Sequence, residues 1–424
     1  METRMLNLVK LALVATFAFV AFLAAPANAH LTAGTGMAKI DPAALLFPVD
    51  NGAGDAPFNG VHDSLFARAL VLEQDGARTV IVVTDTVNLS DDVYGRLVAR
   101  IADRYRIAKD RIWLTATHVH TVPWSLGKGY EQTISDGVLA AIGEAVKTPE
   151  AVTVGSGAGM AFLNINRDER TAKGFILGQD PTGPSDKTVR VVGFFRANRT
   201  PKAILANYAV HAVVLHSSVT SAGRNSLISA DLPGATNAFV DAHYAGAMTF
   251  WTSGAAGDQN PIMMSYYAEP GADGTPVITD LKDTGFALVA RWGQNLGLEI
   301  VRVVDAMRPT PVTQPIRAAQ TILRCPVKVA GGAPKPLRIS WLGIGSIDLV
   351  GVSGELGTLI DHRLRERTGR REPVLLTLTN GYAGYLPDDA SYARGNTFEV
   401  DHSFFLPHCA ERGIVDSTAR LLGL

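Results

Sequence analysis

Thr117-His-Val-His120 closes an apolar run, Arg111-Ile-Trp-Leu-Thr-Ala-Thr117, that reads as a β-strand. Strand side chains alternate between faces, so His118 and His120 are expected to point the same way. Two imidazoles on one side of a strand end can serve one site: both on a metal, or one on the metal and one as a proton carrier. A bare His-x-His also occurs in ordinary loops, so the pattern needs company. Downstream, the apolar strand 203–210 ends in His211, as the strand before His118 does. The bland reading of His211 is a buried, hydrogen-bonded strand-end residue. Val350-Gly-Val-Ser-Gly-Glu355 is a third case, in which a strand turns through Gly and Ser and leaves Glu355 at or near a helix start. There it is either a carboxylate ligand or an acid favoured by the helix dipole. A fourth strand, 375–379, runs into Asn380-Gly-Tyr-Ala-Gly-Tyr385. Its tyrosines are either loop packing or donors to a ligand or substrate. Enzymes of the α/β class build sites at the carboxyl edges of strands, so these four strand ends point to one centre.

Other chemistries find no support. Gly254-Ala-Ala-Gly-Asp-Gln-Asn-Pro261 is a glycine-rich loop after a strand, 248–252, and carries Asp258. It lacks the lysine of a phosphate-binding loop, which argues against nucleotide binding. There is no Gly-x-Ser-x-Gly elbow, which argues against an α/β-hydrolase, and neither cysteine sits in a nucleophile motif. Net charge is −1 with no long charge run, so a nucleic-acid partner is not expected.

The elements that must position these residues alternate strand and helix. Strands 68–72 and 79–83 flank a turn, Gln74-Asp-Gly76. Ser90 caps a helix, 91–105, with apolar residues at Val93, Leu97, Val98 and Ile101. A second helix is expected over 134–147. Residues 151–216 read mostly as strand, with 188–195 joined to 203–210 by the turn Asn198-Arg-Thr-Pro201. Helices follow over 231–243, 283–307 and 355–366, and 344–350 reads as one strand among several in 308–350. This is an α/β, mixed-sheet, layered pattern. With 424 residues, 47% of them hydrophobic, the chain can bury a large core.

The N-terminus reads as a secretory signal peptide over residues 1–29. Arg4 and Lys10 flank an apolar stretch, 11–25, and Ala27-Asn28-Ala29 is a small-residue cleavage site. The rival is an uncleaved anchor, for which the apolar run is short. No later segment is apolar enough to span a bilayer, so the expected mature chain, 30–424, is exported (periplasmic or secreted) and free of a transmembrane span. In an oxidising compartment Cys325 and Cys409 could pair; the alternative is two buried free thiols.

Taken in order, the motifs resemble one family, the neutral (non-lysosomal) ceramidases, which are zinc amidases that cleave the N-acyl bond of ceramide. Thr117-His-Val-His120 resembles the family's Thr-His-Thr-His, and Asn166-Arg167-Asp168 its Asn-Arg-Ser. Tyr208-Ala-Val-His211 is similar to Phe-Ala-Val-His, and Gly257-Asp-Gln-Asn-Pro261 to Gly-Asp-Val-Ser-Pro. Ser353-Gly-Glu355 looks like Pro-Gly-Glu, and Asn380-Gly-Tyr-Ala-Gly-Tyr385 like Asn-x-Tyr-x-x-Tyr. An early segment, Gly60-Val-His-Asp-Ser-Leu-Phe-Ala-Arg68, resembles Gly-Ile-His-x-Arg-Leu-x-Ala-Arg.

The resemblance implies one catalytic domain over 30–424, like the family's N-terminal domain and without its C-terminal β-sandwich. It implies Zn2+ held by His118, His211, Glu355 and a tyrosine, assigned to Tyr382 with Tyr385 as the alternate. His120 and Arg167 would lie beside the metal, facing substrate. His120 would carry the proton to the leaving amine, while Arg167 and Tyr385 hold the oxyanion or the head group. Asn260 stands where the family has serine. An amide is no nucleophile, though it still donates and accepts hydrogen bonds, so the implied reaction rests on metal-activated water. The expected function is zinc-dependent hydrolysis of a small-molecule or lipid-like N-acyl substrate. The alternatives are a zinc hydrolase of a different amide, ester or lactone, and a non-catalytic binding protein on the same fold. His118, His211 and Glu355 argue against the last; Asn260 argues for it.

Overall fold

The structure is a computed structural model describing residues 30–50, 57–124, 127–220, 223–224, 227–270, 275–369 and 371–424. The expected signal peptide, 1–29, lies outside the described residues. The chain opens with β1 (Thr32–Lys39), β2 (Phe66–Gln74), β3 (Ala77–Thr84), α1 (Asp91–Tyr105), β4 (Ile112–Ala116) and α2 (Lys128–Ala145). Then come β5 (Thr153–Met160), β6 (Asn164–Thr171), β7 (Gly174–Asp180), β8 (Thr188–Phe195) and β9 (Pro201–Tyr208). Next are α3 (Asp231–His243), β10 (Met248–Ser253), β11 (Gln259–Pro261) and α4 (Gly285–Ala306). The last part holds β12 (Arg317–Cys325), β13 (Lys335–Ile344), β14 (Ile347–Val352), β15 (Glu355–Leu356), α5 (Thr358–Thr368), β16 (Val374–Leu376), β17 (Tyr385–Leu386), α6 (Phe398–His402) and α7 (Cys409–Leu422).

Three mixed sheets share one core. Their orders are β4-β3-β2-β1, with the short strand Glu150–Ala151 at its edge, then β10-β9-β8-β5, and β12-β13-β14-β16. The pairs β3/β4, β9/β10 and β14/β16 are parallel; the other pairs of these three sheets are antiparallel. Period-2 alternation splits each strand between two layers. Ala69, Val71, Val80 and Val82 face α1 and α2. Their neighbours Leu70, Leu72, Ile81 and Val83 face inward, onto Phe194, Leu205, Phe250 and Leu342 of the other sheets. Helices α3 and α4 cover the outer face of the second sheet, and α5 and α7 that of the third. The inner strands β2, β3, β9 and β14 are therefore buried on both faces, which is why they read as continuous apolar runs. The expected α/β mixed-sheet layering is what the chain adopts.

Local signals account for most boundaries. Asp75 and Gly76 both have positive φ, the two-residue turn that matches strand twist in a hairpin, and it joins β2 to β3. The Ser90 hydroxyl accepts from the Val93 N–H at 3.3 Å and caps α1. Helix α2 lies so close to β1 that a Cβ on Gly36 would come within 2.1 Å of the Ala141 carbonyl oxygen. Any side chain there would push the helix off the sheet.

Three expectations need correction. Helix α2 begins at Lys128, not near 134, because its first turns are polar and escape an apolar count. The strand expected over 344–350 is two strands, broken at Gly345, whose φ of +60 turns the chain between β13 and β14. Glu355 does not open a helix; it sits in β15, paired in parallel with Tyr385 of β17, and α5 starts at Thr358.

Cys325 and Cys409 form a disulfide that ties the end of β12 to the start of α7 across 84 residues of sequence. Replacing both by serine should cost about 2–5 kcal/mol, because the open chain gains loop entropy on unfolding. A denaturant titration without reductant reads this directly, and an unchanged midpoint would show that the bridge contributes nothing.

Candidate metal centre

His118 lies past the end of β4, and its backbone takes the left-handed conformation, with φ of +64. The His118–His120 pair thus meets in one place without the strand alternation expected of it. The segment is held by its neighbours. The His118 N–H donates to the Thr86 carbonyl at 3.1 Å, and the His120 N–H to the Ala212 carbonyl at 3.2 Å. Val119 and Ala212 form a parallel bridge, which brings His211 alongside. The His211 N–H in turn donates to the Gln259 carbonyl at 3.0 Å. Gly257 explains the glycine-rich loop. A Cβ there would lie 2.7 Å from the Leu356 carbonyl oxygen, which the Gly257 N–H contacts at 2.7 Å. The loop is a packing device against β15, not a phosphate cradle.

The ring hydrogen bonds fix which nitrogen faces the centre. His118 Nδ1 is 2.8 Å from the Val87 carbonyl oxygen, and His211 Nδ1 is 2.7 Å from that of Ala256. A carbonyl only accepts, so Nδ1 carries the hydrogen and Nε2 points inward in both rings. Glu355 Oε2 lies 3.1 Å from His118 Nε2 and 3.2 Å from His211 Nε2. His120 Nε2 is 3.3 Å from His118 Nε2. The Tyr382 hydroxyl donates to Glu355 Oε1 at 2.8 Å. Among the described residues His118, His120 and His211 form a cluster whose nitrogens lie within 4.8 Å of one another and could hold a metal ion.

The electrostatics favour a cation. Burial, and then Arg167, lower His211 to about 4, so its ring is neutral. Burial, followed by the three neighbouring imidazoles, holds His120 well below the ordinary range. Burial pulls Glu355 up, but the two histidines outweigh it and keep the carboxyl ionised. His118 Nε2 and His211 Nε2 converge on the ionised Glu355 carboxylate at 3.1–3.2 Å, and His120 Nε2 lies 3.3 Å from His118 Nε2. Ligands at about 2.0–2.1 Å from a tetrahedral zinc lie about 3.3 Å from each other. The donor set, its spacing and its charge therefore fit a zinc ion.

Arg167 lies beside the histidines, on β6. Its Nη1 is 3.3 Å from His211 Nε2 and donates to Asn260 Oδ1 at 3.3 Å, while Nη2 donates to the Tyr385 hydroxyl at 3.2 Å. Its Nε donates to Glu399 of α6 at 2.7 Å. Burial and then the neighbouring Glu399 push Asp168 up, whereas Arg167 holds the Glu399 carboxyl down against its burial. Every sequence-derived site residue, from His118 to Tyr385, thus comes to one place. Glu399 was missed: it lies 232 residues from Arg167, on a helix with no motif. So was His216, whose ring centroid is 5.4 Å from that of His120. Nothing in the local sequence marks either.

His118, His120, Arg167, Asn260, Glu355, Tyr382 and Tyr385 line one cavity of about 920 Å³. Its polar wall holds His118, His120, Arg167, Glu355 and Tyr382; Leu177, Val213, Met264 and Phe398 are among its apolar residues.

No family model matches the sequence, and no curated protein matches it. Solved structures do. The neutral ceramidase from Pseudomonas aeruginosa aligns over 92% of this chain and 73% of its own, with a TM-score of 0.72 at 18% identity. This chain has the neutral ceramidase fold. A ceramidase complexed with C2 aligns over 93% of this chain and 76% of its own, with a TM-score of 0.73 at 17% identity. In this chain the strand ends bearing His118 and His211 meet Glu355 of β15, which pairs with Tyr385 of β17.

Proposed function

We propose that this chain is an exported zinc-dependent amidohydrolase that cleaves a lipid-like N-acyl amide. The observation that carries the reading is the convergence of His118 Nε2, His211 Nε2 and Glu355 Oε2 at 3.1–3.2 Å, inside a largely apolar cavity. His118, His211, Glu355 and Tyr382 are the residues that would hold the metal. The chemistry a bound zinc supplies is polarisation of the acyl carbonyl and acidification of water to a pKa of about 7. The rest belongs to the protein. His120, half-buried and neutral, accepts the proton of the attacking water and delivers it to the departing nitrogen, leaving a carboxylic acid and an amine. Arg167, held by Glu399, and the Tyr385 hydroxyl it orients are placed to bind the oxygen that gains charge. The neutral ceramidase relatives in fold support the amide as the scissile bond. The Cys325–Cys409 disulfide supports an oxidising compartment.

Asn260 has a lesser part. It accepts from Arg167 and can only orient water, substrate or its own loop. Asn260→Ala should lower turnover by at most about 10²–10³-fold, the value of one oriented hydrogen bond in a transition state. Asn260→Ser is the more informative change. Higher activity on ceramide-like amides would mark the position as the substrate selector; lower activity on every amide would show that Asn260 suits another acyl compound. Release of free amine from a panel of N-acyl amides, beside matched esters, tests the proposal. Turnover of esters alone, or a covalent acyl-enzyme on the unmodified protein, would overturn it.

A further inference from the structure

Behind Arg167 lie two buried acids. The Arg167 Nε donates to Glu399 Oε1 at 2.7 Å, and the two side chains are 5% and 4% exposed. The other oxygen, Glu399 Oε2, is buried and meets no donor among the described residues. Beside Glu399 lies Asp168, also buried, whose side chain hydrogen-bonds that of Glu399. Ionised carboxylates only accept, so a hydrogen bond between the two requires a proton on one of them. Glu399 Oε2 is the acceptor open to that proton.

The surroundings decide which acid carries it. Arg167 holds Glu399 ionised, and on the side of the site Glu399 also faces the Tyr385 hydroxyl. Burial and then Glu399 push Asp168 up; Asp258 adds to the push, and Arg394 opposes it. The Arg394 guanidinium donates to Asp168 Oδ2 at 3.4 Å, but it also serves Asp180 and donates to the Ser391 hydroxyl at 2.9 Å. This divided counter-ion leaves the proton on Asp168. The Asp168 N–H donates to Asn166 Oδ1 at 3.0 Å, which fixes the acid in place. In Asn166-Arg167-Asp168 the acid stands where the resembled Asn-Arg-Ser has serine, so the carboxyl pair is a feature of this chain.

We propose that Asp168 shares a proton with Glu399 and thereby positions Arg167, so that full turnover requires Asp168 in its acid form. With the proton in place, Glu399 has both oxygens bonded and holds Arg167 by Nε. Nη1 and Nη2 then keep Asn260 Oδ1 and the Tyr385 hydroxyl at 3.3 and 3.2 Å. Once Asp168 ionises, two buried carboxylates repel each other. The five-residue helix α6, which carries Glu399, is then pushed away from Arg167. A raised carboxyl keeps its proton below its raised pKa and loses it as pH climbs, so activity should be lost on the alkaline side. Asp168 is a positioning residue, acting through Glu399 and Arg167. The inference rests on the amidohydrolase reading through the part given to Arg167.

The test compares pH profiles of kcat for the full zinc-loaded chain and for Asp168→Asn, on one water-soluble N-acyl amide. The asparagine amide donates to Glu399 at every pH. Alkaline effects of the metal or the substrate are common to both proteins and cancel in the ratio. The ratio of the variant's kcat to that of the wild type should rise about tenfold per pH unit once Asp168 ionises, with zinc content unchanged. Glu399→Gln is the second variant. Its amide donates to Asp168 without a shared proton, so it too should lose the alkaline fall, at a lower kcat throughout because Arg167 has lost its counter-charge. Infrared difference spectra, wild type minus Asp168→Asn at neutral pH, should show the C=O stretch of a protonated carboxylic acid, and that band should vanish over the alkaline range. A flat ratio beside normal turnover, or the absence of the band, overturns the proposal and leaves the amidohydrolase standing. Zinc loss in Asp168→Asn also overturns it, because the residue would then act through the metal. The acid band in protein that cleaves no N-acyl amide would keep the shared proton and reject the amidohydrolase.

Discussion

His118→Ala, His211→Ala and Glu355→Ala should each lose the metal and all measurable turnover. The three groups supply the inward-facing Nε2, Nε2 and Oε2 atoms of the proposed ligand set. The supporting carbonyls make the loss severe. Val87 and Ala256 orient the two rings before any metal arrives, so the site is prepared and one missing ligand leaves a gap rather than a looser cluster. Elemental analysis of each purified variant, with amine release measured on the same sample, checks this. A variant that keeps full zinc and full activity removes its residue from the ligand set. Folding should survive in all three, because none of the three side chains belongs to the apolar layers of the core.

His120→Ala should behave differently. Turnover should fall about 10²–10⁴-fold, the usual contribution of a positioned proton carrier, while zinc stays bound. His120 Nε2 reaches His118 Nε2 at 3.3 Å, and the three histidines alone are close enough to share an ion. The two ligand sets, one with His120 and one with Glu355 and Tyr382, therefore compete. Zinc lost from the His120 variant and kept in Glu355→Ala would exchange the roles of these two residues. The rate loss should also be larger for a substrate with a poor leaving amine than for one with a good leaving group, since the second needs no proton.

How much of this was legible in the sequence depends on distance along the chain. His118, His211 and Glu355 each follow an apolar strand directly, so period-2 patterning and a short motif were enough to find them. Their supports were not legible. The Val87 and Ala256 carbonyls are backbone groups, and any residue type could stand there. Glu399 reaches Arg167 only because α6 folds back beside β17 and β7. The fold class followed from alternating apolar strands and amphipathic helices, such as the Ser90-capped α1. The boundaries failed where backbone conformation overrode side-chain pattern. Gly345 splits a continuous apolar run, and positive φ at Leu378 and Asn380 bends the chain out of β16 after Leu376.

The central claim is that a metal held by these residues is required for amide cleavage. Zinc per chain and amine release from an N-acyl amide should be measured together on the protein as purified, after chelation, and after stepwise zinc return. About one zinc per chain, no turnover once it is stripped, and recovery that is complete near one equivalent are expected. Undiminished turnover in the stripped protein would contradict it.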